Sequence, residues 1–196
     1  MKKRFFVLFI FLLGLVLSAC GQQVIKNANN WPVQDFTYSD QQEKPFGLKD
    51  LKGKVWVADF IFTKCVDVCS PMTFNMAKLQ TMVKKEGIEN IEFVSFSVDP
   101  TVDSPQVLEQ FGKQFDVDFK NWHFLTGYPQ TDINQFALES FKTLVDKPET
   151  GDQVIHGTSF YLVNKEGTII KDYTGLQEIP FQEIIQDMKI LTELKE

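Results

Sequence analysis

The chain has 196 residues and a net charge of −6, and 43% of its residues are hydrophobic and 23% charged. This composition is typical of a globular protein and excludes a disordered chain, and the length favours one domain. The acidic charge argues against a nucleic-acid partner, because such binding requires a basic patch.

The first predicted element is an export signal. Basic residues 2–4 precede the apolar residues 5–17, a stretch too short to span a membrane but suitable for a signal peptide. Leu17-Ser18-Ala19-Cys20 resembles a bacterial lipobox, so we expect residues 1–19 to be removed and Cys20 to be lipidated. Secretion with a free Cys20 thiol is the alternative.

Lipidation would determine where the protein resides. Several acyl chains such as palmitate on Cys20 would hold it at the cell membrane, on the extracytoplasmic face, since stable anchoring needs more than one chain. Residues 20–32 would form a polar tether. Loss of the three positive charges of residues 1–19 takes the net charge from −6 to −9, so the acyl chains, not charge, must provide the attachment.

Residues 33–196 are predicted to form one α/β domain. Residues 54–62 are almost continuously apolar, as in a buried central strand, and the cysteine-containing residues 63–70 separate them from a helix that begins near Pro71. A strand that leads into a helix with cysteines at the junction is typical of a thioredoxin-like fold, a central mixed β-sheet flanked by helices. The other predicted elements are an N-terminal hairpin (36–38 and 45–48), a strand (91–98), a helix from 103–105, a strand (122–125), a helix (133–141), a loop insertion (142–157), a hairpin (159–163 and 168–173) and a helix (181–191).

Cys65 and Cys69 form the candidate redox pair. Residues four apart share one helix face, with Cβ atoms about 5–6 Å apart. A disulfide would close with modest adjustment, and one ion could contact both sulfurs. A helix N-terminus favours the thiolate form, and sites of open α/β sheets lie at the carboxyl ends of strands. An inert structural disulfide is the alternative.

His156 is the candidate third ligand. It precedes the strand at 159–163, and in thioredoxin-like folds the loop before that strand lies against the cysteine turn. Two thiolates and one imidazole suit copper, whereas structural zinc normally requires a fourth protein ligand. The second histidine, His123, lies between Trp122 and Phe124 in a predicted strand, where we expect a structural role.

Short motifs distributed over residues 36–191 carry a family resemblance. They are Gly53-Lys54, Phe62-Thr63-Lys64-Cys65, Cys69, Asp99-Pro100, Asp103, Leu125-Thr126-Gly127, His156 and Phe160-Tyr161-Leu162. Together they resemble the Sco/SenC family of copper-binding proteins that assist the assembly of cytochrome c oxidase. The family usually has Pro after each cysteine; here Val66 and Ser70 stand there, so we expect this turn to differ.

The resemblance implies that Cys65, Cys69 and His156 bind one copper ion, Cu(I) or Cu(II). Oxidation of the cysteines to a disulfide would remove two ligands, so copper binding would be gated by redox state. The implied partners are the oxidase subunit that carries the copper A centre and a thiol reductant or thioredoxin-like protein.

Asp59 favours an alternative, an extracytoplasmic thiol-disulfide oxidoreductase that acts on cysteines of the oxidase subunit. It lies six residues before Cys65, as a buried Asp does in thioredoxins. Its pKa should be raised in so apolar a strand, and it could relay protons to a thiol. A core Asp satisfied by hydrogen bonds or a Lys is the structural reading. Three residues separate the cysteines, which weighs against exchange, since dedicated exchangers usually have two. Asp99 and Asp103 are assigned strand-end and capping roles, with a position near the metal as the alternative.

Overall fold

The computed structural model describes residues 25–65 and 67–194. The predicted signal peptide, Cys20 and Val66 lie outside the described residues. The helices are α1 (Cys69–Lys85), α2 (Pro105–Lys113), α3 (Gln130–Phe141) and α4 (Phe181–Glu193), with a 3-10 turn at Leu48–Asp50. The strands are β1 (Trp31–Pro32), β2 (Thr37–Ser39), β3 (Pro45–Gly47), β4 (Val55–Ile61), β5 (Ile91–Ser97), β6 (Trp122–Leu125), β7 (Val145–Asp146), β8 (Ile155–His156), β9 (Ser159–Val163) and β10 (Thr168–Thr174).

A six-stranded mixed sheet in the order β1-β10-β9-β4-β5-β6 forms the centre of the domain. Strands β4, β5 and β6 are parallel. On the other side of β4, strand β9 runs antiparallel to β4, and β10 runs antiparallel to β9. Every residue of β4 and β5 is buried, as expected for central strands covered on both faces. The predicted α/β class with a central mixed sheet is confirmed.

Aromatic side chains form much of the core. The Phe96 ring centroid lies 5.3 Å from that of Phe36, 5.2 Å from that of Phe136 and 5.8 Å from that of Phe141. These contacts connect β5 to the segment before β2 and to α3. Full burial of one such side chain contributes about 1.5–3 kcal/mol. The α1 residues at helical spacing that were predicted to face the core are also buried: Met72, Met76, Leu79 and Val83.

The chain before β2 packs on the sheet. Strand β1 pairs with β10, placing Trp31 opposite Ile169, and the Asn29 N–H donates to the Ile170 carbonyl at 2.8 Å. The end of the segment predicted as a tether therefore forms an edge strand. Among the described residues, no helix has the length and apolar character needed to cross a bilayer.

Residues 142–157, predicted as a loop, contain a small hairpin, so that prediction is wrong in part. Strands β7 and β8 pair antiparallel, with Val145 opposite His156. Strands of two residues are too short to produce a periodic pattern, which is why the sequence did not reveal them. The N-terminal hairpin was predicted correctly, with Tyr38 opposite Phe46.

Candidate metal centre

Two loops bring the candidate ligands together at the carboxyl end of β4. Cys65 lies in the turn after β4, and its N–H donates to the Phe62 carbonyl at 3.3 Å. Cys69 is the first residue of α1 and is fully buried. His156 ends β8, so the β7–β8 hairpin carries the imidazole to the cysteines. A hydrogen bond from the Gln153 side chain to the Lys64 carbonyl, 3.1 Å long, joins the hairpin to the cysteine turn.

The three predicted ligands form one cluster. The two Sγ atoms and a ring nitrogen of His156 all lie within 4.8 Å of one another. Cys69 Sγ is 3.3 Å from His156 Nε2, and the Cys69 N–H donates to Cys65 Sγ at 3.3 Å. The two cysteines are not joined by a disulfide in this structure. Among the described residues, no other group of three or more His, Cys, Asp or Glu side chains is placed to hold a metal.

A backbone contact orients the imidazole. His156 Nδ1 lies 2.9 Å from the Gly157 carbonyl oxygen, which can only accept a hydrogen bond, so Nδ1 carries the proton. In the neutral ring, Nε2 then presents its lone pair toward Cys69. A metal-binding histidine typically donates from its other nitrogen in this way. The edge of the Phe62 ring, with centroids 5.7 Å apart, packs against the imidazole.

The two thiols differ in proton affinity. The hydrogen bond from the Cys69 thiol is the largest of the influences that hold the pKa of Cys65 well below its ordinary value. The backbone N–H groups of Asp67 and Val68 act in the same direction, whereas partial burial opposes them. The same pairing, together with burial, raises the pKa of Cys69. Cys65 is therefore the thiolate and Cys69 the thiol that keeps its proton.

This donor set fits copper. Thiolates are soft ligands that select Cu(I), and imidazole suits either oxidation state. Cys65 is already ionised, His156 is oriented for coordination, and Cys69 has only to lose one proton. A closed zinc site would require a fourth protein ligand, and no His, Cys, Asp or Glu among the described residues joins the cluster.

Asp59 lies in β4 and is completely buried. Burial is the main reason that its pKa rises to about 7, and the neighbouring Ser95 and His156 offset only part of that effect. The one side-chain hydrogen bond to Asp59 comes from Ser95, and among the described residues neither carboxylate oxygen has a closer partner. Hydrogen bonding therefore satisfies this core Asp only in part. The negative charge of Asp59 also contributes to the raised pKa of Cys69.

Asp103 holds the turn that carries Cys65, a contact that the sequence did not indicate. Its carboxylate accepts hydrogen bonds from the Thr63 hydroxyl and from the Ser97 hydroxyl, each at 2.6 Å, and from the Thr63 N–H at 3.2 Å. Asp103 therefore connects the end of β5 to the turn two residues before Cys65. The predicted capping role is wrong, because Ser104 is the N-cap of α2 and its hydroxyl oxygen accepts from a backbone N–H. No sequence signal distinguished these adjacent positions.

The β7–β8 hairpin is also held at Asp99. The Lys147 ammonium donates to Asp99 Oδ1 at 2.6 Å, and Asp99 follows β5, in agreement with its predicted strand-end position.

His123 lies in β6 and stacks on Phe46, with ring centroids 3.7 Å apart. It is not part of the metal cluster, in agreement with its predicted structural role.

The sequence model of the SCO1/SenC family matches residues 26–193, nearly the whole described chain. The chain belongs to the SCO1/SenC family. The SCO1 protein homolog of Bacillus subtilis strain 168 is 49% identical over 184 residues, covering 94% of this chain and 95% of the relative. The resemblance inferred from the motifs is thereby confirmed.

Solved SCO1/SenC structures share the fold. The crystal structure of a SCO1/SenC family lipoprotein from Bacillus anthracis str. Ames has a TM-score of 0.84 at 53% identity, covering 87% of this chain and 100% of that chain. The structure of BsSco has a TM-score of 0.82 at 49% identity, covering 88% and 100%. ScoI of Bradyrhizobium japonicum, solved with copper bound, shares the fold with a TM-score of 0.68 at 23% identity, covering 82% and 99%. The predicted thioredoxin-like fold is confirmed.

Proposed function

We propose that this SCO1/SenC protein is a copper-binding assembly factor that helps to load the copper A centre of a cytochrome c oxidase subunit. It binds one copper ion through Cys65, Cys69 and His156. The observation that carries the proposal is the convergence of two sulfurs and one imidazole nitrogen within 4.8 Å at the end of β4. Family membership supports the oxidase as the destination, because BsSco is described as a member of the Sco family of cytochrome c oxidase assembly proteins.

Copper binding is gated by the redox state of the cysteines. When the Cys65 thiolate and the Cys69 thiol form a disulfide, two electrons and the one proton of Cys69 leave the pair, and both sulfurs are lost as strong ligands. The disulfide switch described for BsSco supports this step. Restoring the ligands requires two electrons from a thiol reductant or a thioredoxin-like protein and one proton for Cys69, so we infer that such a partner exists.

Copper titration of the reduced domain lacking residues 1–20 tests the metal site. We expect one copper per chain. His156→Ala and Cys65→Ser should each weaken binding by at least about tenfold, because each removes one of three ligands. His123→Ala is the matched control and should bind copper normally, since His123 is remote from the cluster. Binding that is indifferent to the His156 and Cys65 substitutions would exclude this site.

We propose that Cys20 carries the lipid and holds the domain on the extracytoplasmic face of the cell membrane. The lipobox-like Leu17-Ser18-Ala19-Cys20 sequence supports this location. Metabolic labelling with radioactive palmitate should mark the wild-type protein in the membrane fraction, and Cys20→Ala should abolish the label. A wild-type protein that is unlabelled and released as soluble material would contradict the anchor.

A second candidate function is thiol-disulfide exchange with cysteines of the oxidase subunit. The ionised Cys65 and the buried Asp59 favour it, because exchange needs a thiolate and a group that accepts the proton of Cys69. Reduction of a disulfide-containing oxidase peptide without copper is the test. A rate no greater than that of an equal concentration of free cysteine would exclude this function, and a much greater rate that falls in Cys65→Ser would favour it over copper loading.

A further inference from the structure

A groove of about 420 Å³ lies between the N-terminal turn of α1 and the length of α2. We call it the α1–α2 groove. Thr63 lies two residues before Cys65, and Ser70 directly follows Cys69, so one end of the groove is lined by residues that neighbour the two cysteines along the chain. Its lining residues are Thr63, Ser70, Gln106, Val107, Gln110 and Gln114, with Phe111 between the last two in sequence.

The α1–α2 groove contains no charged lining residue. Gln106, Gln110 and Gln114 recur every four residues, so their amides lie along one face of α2 and of the C-cap residue that ends it. Gln106 donates to Glu43. Gln110 and Gln114 are exposed, and neither side-chain amide makes a hydrogen bond within the part of the chain that the structure describes. Two neighbouring amides, each with donors and an acceptor, are therefore free.

Apolar surface accompanies these amides. Phe111 is buried at the groove, and Val107 is 39% exposed at its margin. Phe74 lies one turn after Ser70 on the same face of α1 and is 61% exposed. Covering an aromatic side chain of this size is favourable, and aromatic residues are common anchors at protein interfaces. The surface beside the cysteines thus combines apolar area with unused hydrogen-bonding groups.

We propose that the α1–α2 groove binds an extended, uncharged segment of the client protein. This segment flanks the client cysteine that reacts with, or takes copper from, Cys65 and Cys69. This inference rests on the proposed function and names how the client is held. A glutamine amide offers two donors and one acceptor, which match the alternating C=O and N–H groups of an extended backbone. A charged client side chain would find no partner in the groove and would pay to lose its water.

The dimensions agree with a short segment. From Gln106 to Gln114, α2 rises about 12 Å, at 1.5 Å per residue. An extended chain covers that distance in about four residues, at roughly 3.3 Å each. A client cysteine seated at Ser70 would therefore place its three or four flanking residues along the three glutamines.

Thiol exchange with the oxidised full-length protein in detergent tests the groove. A peptide thiolate attacks one sulfur of the Cys65–Cys69 disulfide and forms a mixed disulfide, and the sulfur that leaves takes up a proton as a thiol. The probes are a peptide with one cysteine among Gly, Ser and Leu, the same peptide with Glu beside the cysteine, and 2-mercaptoethanol. Gln110→Ala is compared with Gln182→Ala, which changes an exposed glutamine on α4.

We expect Gln110→Ala to slow the neutral peptide about three- to tenfold, as the loss of one or two hydrogen bonds implies, with the rate for 2-mercaptoethanol kept within about twofold. Gln182→Ala should change neither rate, and the Glu-flanked peptide should react slowly and show no effect of Gln110→Ala. If Gln110→Ala slowed the reactions of the peptide and of 2-mercaptoethanol equally, or slowed neither, the proposal that the groove binds the client would be refuted, and the proposed redox site would be unaffected. A wild-type disulfide that 2-mercaptoethanol cannot open would overturn the gated site and, with it, the groove.

Discussion

Replacing Asp59 with Asn should change how stability depends on pH. Asp59 is completely buried, and burial raises its pKa to about 7 from an ordinary value of 3.8. Because the folded-state pKa lies above the unfolded-state value, the folded protein binds the extra proton between these two values. The stability of the wild type therefore falls as pH rises through this window, and the full penalty is reached above pH 7.

The size of the effect follows from the two pKa values. Each pKa unit corresponds to about 1.4 kcal/mol, so ionised Asp59 costs about 4 kcal/mol relative to the protonated form. Part of this cost is already present at pH 5, because the unfolded carboxyl is largely ionised there. Between pH 5 and pH 8 the loss from Asp59 alone is about 2.5 kcal/mol. The Asn side chain does not titrate and so has no such loss.

The assay is urea unfolding of the reduced, copper-free domain at pH 5 and pH 8. From pH 5 to pH 8, the free energy of unfolding of the wild type should fall by about 2.5 kcal/mol more than that of Asp59→Asn. Comparing the change, rather than the absolute stability, cancels the cost of burying an unpartnered amide. Asp116→Asn, at an exposed position, is the control and should follow the wild type. Equal pH dependence of the wild type and Asp59→Asn would refute the argument that burial penalises this charge.

Three further predictions concern the site and the core. At pH 6 iodoacetamide should modify Cys65 much faster than Cys69. The Cys69→Ala substitution should slow modification of Cys65, because it removes the main group that lowers the Cys65 pKa. Both rates are measured by mass mapping of the modified peptides. Gly157→Ala should weaken copper binding, since its Cβ would lie 2.3 Å from Thr143 Oγ1, and adding Thr143→Ala should restore binding in the same titration. Phe96→Ala should lower the free energy of unfolding by about 3–5 kcal/mol, measured in urea; a loss under 1 kcal/mol would contradict its place in the aromatic core.

Strong local patterns made the central elements predictable. Strand β4 is buried on both faces, and its sequence is a nearly continuous apolar run. Strand β5 is equally buried, although Glu92, Ser95 and Ser97 stand among its apolar residues. In α1 the buried residues recur at helical spacing. In β4 and α1 the interactions that determine the structure lie within one segment, and the sequence of that segment is sufficient to predict it. The helix face that Cys65 and Cys69 were expected to share is not formed, because α1 begins at Cys69 and Cys65 lies in the turn before it.

Contacts between distant parts of the chain were harder to predict from the sequence. His156 contacts Cys69 across 87 residues, and the hairpin that carries it has strands of only two residues. Its position was predicted from the family of folds, whereas the hairpin itself was not. Asp103 is a similar case, because nothing in its local sequence indicates that its carboxylate binds Thr63, 40 residues away. Pairing between distant segments depends on tertiary packing, which local patterns do not encode.

The two candidate functions depend on the same proton. Cys69 holds its proton tightly, and both copper binding and disulfide formation require its removal. A bound copper ion would displace that proton by direct coordination of the sulfur and would not need Asp59, whereas thiol exchange needs a base, and Asp59 is the buried carboxylate whose charge Cys69 senses. Because Asn cannot accept the proton, Asp59→Asn should slow exchange at pH 8. Copper affinity should not fall, because loss of the Asp59 charge makes the Cys69 proton easier to displace. The same substitution that tests the electrostatics of the core therefore separates a site that carries metal from a site that exchanges electrons.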